Sequence, residues 1–301
     1  MGDVQPLHTY LKWGTRTPEL DRWWVQNAIV TDNLTLLTAL VGLQMVDFSS
    51  AYGAYGIEYT TALGLAVRYR RLAMVSLLVG TVPVDDADFD GATPLYIATE
   101  TDQDEIAIML ISFGADVNFA RAGVTPFFNA VYYENVGLAA VMLANGADAE
   151  AAYGPWTVLA VAVHHDNIPL AELIMRWLPT WRSDLEFLIS VAIDTPRMLA
   201  FLANDLDRET YDATPHVREA IYKGSSRALD FFAPFTARGP IHVTSVYPQI
   251  VRGWIASKKR ESRMARLMAR RLGDDLSRVI QSLLVPRWVI KEAEGIFITL
   301  V

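Results

Sequence analysis

Two short runs in this chain of 301 residues carry side chains of the kind that hold metal ions. Asp86-x-Asp88-x-Asp90-Gly91 matches the opening of an EF-hand calcium loop, where alternating carboxylates and a turn glycine wrap a hard cation. Such a loop closes with a bidentate glutamate at its twelfth position, and here that position is Ile97. The ligand set fails, and the run reads as an acidic hairpin tip. His164-His165-Asp166 is the other cluster of metal-type ligands. Neighbours on a helix point about 100 degrees apart, so adjacent histidines rarely chelate one ion. A turn is expected there, with no metal and no cofactor. The chain has no cysteine, which removes disulfides, thiolate metal sites and a cysteine nucleophile. Phosphate-cradling G-x-x-x-x-G-K and G-x-G-x-x-G runs and a G-x-S-x-G elbow are also missing, so no enzymatic activity is expected.

A third chemically distinct run is basic. Lys258, Lys259, Arg260, Arg263, Arg266, Arg270 and Arg271 stand against Glu261 alone, a local net charge of +6 in a chain of net charge -8. Met264, Leu267, Met268 and Leu272 recur at helical spacing, so the run predicts an amphipathic helix over 258–272. Its plain reading is a capping helix with a solvated charged face. Sharper readings are contact with an acidic partner, an anionic membrane surface or RNA. Elsewhere the acidic balance opposes polyanionic partners, so nucleic acid is not expected except through this helix.

The elements that position these residues follow from a repeat. Thr61-Ala62-Leu63, Thr93-Pro94-Leu95, Thr125-Pro126-Phe127 and Thr157-Val158-Leu159 begin at a constant step of 32 residues. Ala66, Ala98, Ala130 and Ala162 follow in register, as do Leu77-Leu78, Met109-Leu110, Met142-Leu143 and Leu173-Ile174. A fixed period of this size implies stacked units that bury a shared core. Each threonine can cap the free N–H groups of a helix, and proline tolerates the first helical position. The small alanine lets antiparallel helices approach, and the apolar pairs fill the seam with the next unit. Gly114 and Gly146 fall where a helix stops in a left-handed conformation.

These residues closely resemble the ankyrin repeat, whose signature is a unit of about 33 residues carrying T-P-L-H-x-A. The resemblance implies an all-α solenoid of stacked helix-turn-helix units joined by short β-hairpin connections. We divide the chain into an N-terminal segment at 1–19, an array of about seven units at 20–240, clearest at 57–178, and a C-terminal helical region at 241–301. Units are read at 20–47, at 184–204 and from Thr214-Pro215-His216 onward. Beyond the array, helices are expected near 246–256, 258–272 and 275–284, forming a cap that shields the last apolar face.

In proteins of this kind, partners are gripped by hairpin tips and by the exposed end of each first helix. Transferred through the register, that implies Ile57, Glu58, Thr60, Arg68 and Tyr69, then Phe89, Asp90, Ala92, Glu100 and Thr101. The following units supply Arg121, Ala122, Val124, Tyr132 and Tyr133, then Tyr153, Gly154, Trp156, His164 and His165. Aromatic side chains at positions that should be wet are what interface hot spots are built from. A scaffold or adaptor that binds a protein partner is therefore expected. Two further readings concern the C-terminal region. Met264, Leu267, Met268 and Leu272 with Leu283-Leu284-Val285-Pro286 are similar to a SOCS box, which would make the chain a substrate receptor of a ubiquitin ligase, although the expected cysteine is missing. Thr299-Leu300-Val301 resembles the C-terminal ligand of PDZ domains. No segment reads as a membrane span, and residues 1–10 lack the apolar stretch of a secretory signal, so a cytoplasmic or nuclear location is expected.

Overall fold

In a computed structural model of the chain, the described residues are 18–42, 61–206, 211, 213–223, 225–232, 241–243, 288–292 and 296–300. They divide into two compact units at Pro179 and Thr180.

The first unit contains paired helices in chain order: α1 (Pro18–Val30) and α2 (Leu34–Gly42), α3 (Ala62–Arg68) and α4 (Leu72–Leu78), α5 (Pro94–Glu100) and α6 (Asp104–Ser112). Then come α7 (Pro126–Tyr132) and α8 (Val136–Ala144), and α9 (Val158–His164) and α10 (Ile168–Trp177). First helices pack in one row, α1 on α3, α5, α7 and α9 in turn, and second helices pack in a parallel row. The unit is thus an all-α repeat solenoid two helices deep.

The expected caps form. Thr61, Thr93, Thr125 and Thr157 accept through Oγ1 from the backbone N–H of Gly64, Tyr96, Phe128 and Ala160 at 3.0 to 3.2 Å. Asn135 and Asn167 do the same for α8 and α10, accepting from Leu138 and Leu170. The seam holds Ala66, Ala98, Ala130 and Ala162, all buried, together with Leu63, Leu95, Phe127 and Leu159. Gly114 and Gly146 end α6 and α8 at φ +87°, as the spacing predicts.

Sharper turns end the first helices without glycine. Arg70, Asp102, Glu134 and Asp166 take φ of 55° to 59°, a region that disfavours a side chain by about 1 kcal/mol or more. The next residue repays part of this: the N–H groups of Arg71, Gln103, Asn135 and Asn167 donate to the carbonyls of Ala66, Ala98, Ala130 and Ala162. That bond closes the helix end with the orphan carbonyl satisfied. Short hairpins connect the pairs. β1 (Ala152–Tyr153) pairs antiparallel with β2 (Trp156–Thr157), and Arg121 bridges Val124 one unit earlier.

The second unit carries α11 (Leu185–Val191), α12 (Pro196–Leu202), α13 (Thr214–Lys223) and α14 (Ser226–Phe232), with short 3-10 turns flanking α11 and following α12. The two short helices expected around Thr195-Pro196 and the pair opened by Thr214 are both present. His216 is buried between Tyr211, whose hydroxyl lies 2.7 Å from Nδ1, and the Glu186 carbonyl at 3.0 Å from Nε2. The helices expected at 246–256, 258–272 and 275–284 lie outside the described residues.

The chain's last segments differ from expectation. β3 (Ile241–Val243), β4 (Trp288–Glu292) and β5 (Ile296–Leu300) form an antiparallel sheet of order β3-β5-β4, with Ile241 opposite Ile298 and Ile290 opposite Ile298 on the other side. Two runs rich in β-branched and aromatic residues, separated by three residues that include Gly295, are the sequence signal for this hairpin.

Candidate partner-binding surface

Asp88 occupies the centre of the calcium-like run, and its oxygens are already taken. Oδ1 accepts from the N–H groups of Asp90 and Ala92 at 3.0 and 2.8 Å, and Oδ2 lies 2.9 Å from Arg68 Nη2. The carboxylate locks the hairpin tip to the end of α3. Arg68, expected as a partner contact, therefore has a structural task as well. Ala92, which the register also placed on the wet surface, is buried: its N–H donates to Asp88 Oδ1 and its carbonyl accepts from the Asp88 N–H, which holds it under the hairpin tip. Ile57, Glu58 and Thr60 lie outside the described residues, as does the whole basic run from Lys258 to Arg271.

The hairpin tips and helix ends of the following units do face water. Tyr69, Phe89, Tyr132, Tyr133, Tyr153 and Trp156 are 37% to 83% exposed, with Phe89 at the upper limit. Asp90, Glu100, Arg121 and His164 are accessible too, and His165 is half-buried. The aromatic groups are not scattered. Tyr133 meets Tyr132 at 5.4 Å between ring centroids, Tyr132 meets His165 at 5.8 Å, His165 meets His164 at 5.7 Å, and His164 meets Trp156 at 5.3 Å. A continuous run of five rings thus crosses from the end of α7 to the end of α9 and its hairpin. Tyr153 lies apart from that run, edge-on to Phe128 at 6.1 Å.

Arg121 organises the neighbouring stretch. Its guanidinium carbon lies 5.5 Å from the Tyr96 ring centroid, and its nitrogens stand 3.7 Å from Asp90 and 3.8 Å from Glu100. Cation–ring attraction and two carboxylates hold it over the face of α5.

His164 and His165 sit at the end of α9 and in the turn that follows, as the sequence predicts. His165 Nδ1 lies 3.6 Å from Glu134, whose other oxygen accepts from Asn167 at 3.1 Å. Among the described residues, no group of three histidines or carboxylates is placed to hold a metal ion.

Three acidic residues that sequence reasoning overlooked stand in the turns beside these rings. Asp102, Glu134 and Asp166 occupy the same left-handed turn position in successive units. Their step of 32 residues is visible in the sequence, one residue beyond the helix-end positions that the register selects. Between residues 61 and 178 there are fourteen acidic residues and five arginines, so the surface is strongly anionic.

A stack of helix pairs with ring-bearing turns and hairpin tips defines a helical-repeat protein. Comparison agrees over part of the chain: residues 26–121 match the family model of ankyrin repeats, in three copies. No curated protein matches the chain. Ankyrin repeats generally mediate protein–protein interaction and are typically non-enzymatic. Among the described residues, no helix is long and apolar enough to cross a membrane.

Proposed function

We propose that this chain is an intracellular scaffold or adaptor that holds a partner protein against the ends of α5, α7 and α9 and their hairpin tips. The observation that carries this reading is the run of rings from Tyr133 to Trp156, open to water although apolar side chains are favoured inside. Aromatic side chains bring large contact area at little entropic cost, and the surrounding carboxylates and Arg121 supply the polar rim. The ligase-receptor reading and the nucleic-acid or lipid reading both rest on residues outside the described ones, and no observed contact favours either. Recognition of the tail by a PDZ domain would require Thr299 and Leu300 to leave their pairing with Val289 and Trp288.

Affinity capture with the full chain, compared with Tyr133→Ala and Trp156→Ala, tests the proposal. Proteins retained by the parent chain should be lost by both variants while their unfolding midpoints stay unchanged. Retention of the same proteins by both variants would remove the rings from the interface.

A further inference from the structure

Resting on the protein-binding reading, we propose that the partner is of a definite chemical kind: an extended segment bearing arginine or lysine at every third position, laid along the turns after α5, α7 and α9.

Charge is the first ground. Arginines that could oppose a cationic partner are already engaged within the array: Arg68 with Asp88, Arg70 with the Thr101 carbonyl, Arg71 with Asp32, and Arg121 with Asp90 and Glu100. The excess of carboxylates on the same stretch is left to set the field at its surface, which attracts a basic chain and repels nucleic acid or an anionic membrane.

Spacing is the second. Asp102, Glu134 and Asp166 hold one turn position in three stacked units. Packed helices stand about 10 Å apart, and an extended peptide in the polyproline II conformation, with about three residues per turn, advances about 3.1 Å per residue. Three peptide residues therefore span one unit, which brings every third side chain back to an equivalent carboxylate.

The third ground is a precedent inside the chain. Arg121 shows how this surface receives a guanidinium, over a ring and between two carboxylates. Further along, Tyr132 and Tyr133 are exposed rings and Glu134, which also contacts His165 and Asn167, is half exposed next to them in the chain, so a ring and a carboxylate again lie close together on the surface.

The test uses the full chain and dye-labelled glycine–serine peptides read by fluorescence anisotropy. The first carries arginine at every third position, the second has the same composition with its arginines contiguous, and the third has glutamate in place of arginine. The spaced arginine peptide should bind roughly tenfold tighter than the contiguous one, with the glutamate peptide not binding. The double variant Asp102→Asn with Glu134→Gln, which changes exposed side chains without altering their size, should weaken it roughly fivefold. Equal binding of the two arginine peptides, tighter binding of the glutamate peptide, or indifference to the double variant would overturn the proposal. So would a chain that is dimeric in solution and becomes monomeric in the double variant, since the edge would then be a self-association surface. If the peptides fail while Tyr133→Ala and Trp156→Ala still lose a captured protein, the partner class is wrong and the scaffold reading stands.

Discussion

Arg68 and Asp88, separated by 20 residues of chain, form an ion pair of 2.9 Å in which the carboxylate side chain is only 1% exposed. Because Asp88 also accepts two backbone N–H groups, it fixes the hairpin tip that carries Phe89 and Asp90. Site and scaffold thus share one buried anion.

Asp88→Ala strips two amides of their acceptor and Arg68 of its partner, and should destabilise the chain by about 3 kcal/mol. Asp88→Asn keeps an oxygen for the amides and should cost about half as much. Urea unfolding followed by circular dichroism measures both, and two variants as stable as the parent would show that the pair does not hold the tip. Calcium should leave the parent's melting temperature where a chelator leaves it, since the Asp88 oxygens are committed.

The repeated threonine is expected to matter through its hydroxyl. Thr125→Ala removes the acceptor for Phe128 N–H and should cost about 1 kcal/mol, with Thr125→Ser recovering most of it. Denaturant midpoints of the three proteins, run side by side, decide this. A serine variant as unstable as the alanine variant would transfer the effect from the cap to the methyl group.

Stability and binding should separate cleanly between two nearby aromatic positions. Phe127 is fully buried, and Phe127→Ala should cost about 3 to 5 kcal/mol through lost contacts and the cavity left behind. Tyr133, half exposed, should change stability by no more than about 0.5 kcal/mol when replaced by alanine. Paired thermal melts of the two variants check the contrast, and a large loss at Tyr133 would make it part of the core and not of the binding face.

How much of this was readable in advance depends on the range of the forces involved. The step of 32 residues predicted the threonine caps, the buried alanines and the glycine stops at Gly114 and Gly146, because each of these acts within one turn of its own helix. The resemblance to ankyrin repeats, carried through that step, also implied exposure of Tyr69, Phe89, Tyr132, Tyr133, Tyr153 and Trp156, which is observed, and of Ala92, which is buried. Gly295 between two β-branched runs is a legible hairpin signal as well, at odds with the helical region expected at 241–301.

The sequence by itself determined the period, the caps and the unit's two-helix form, since capping, proline placement and apolar spacing are local. Only the tertiary structure decided which residues of different units meet: Asp88 with Arg68, Arg121 over Tyr96 between Asp90 and Glu100, His165 against Tyr132. Those contacts depend on how far apart stacked helices stand and which way each hairpin leans. Both are set by the packing of Leu63, Leu95, Phe127 and Leu159 in the seam, and no rule confined to neighbouring residues contains them.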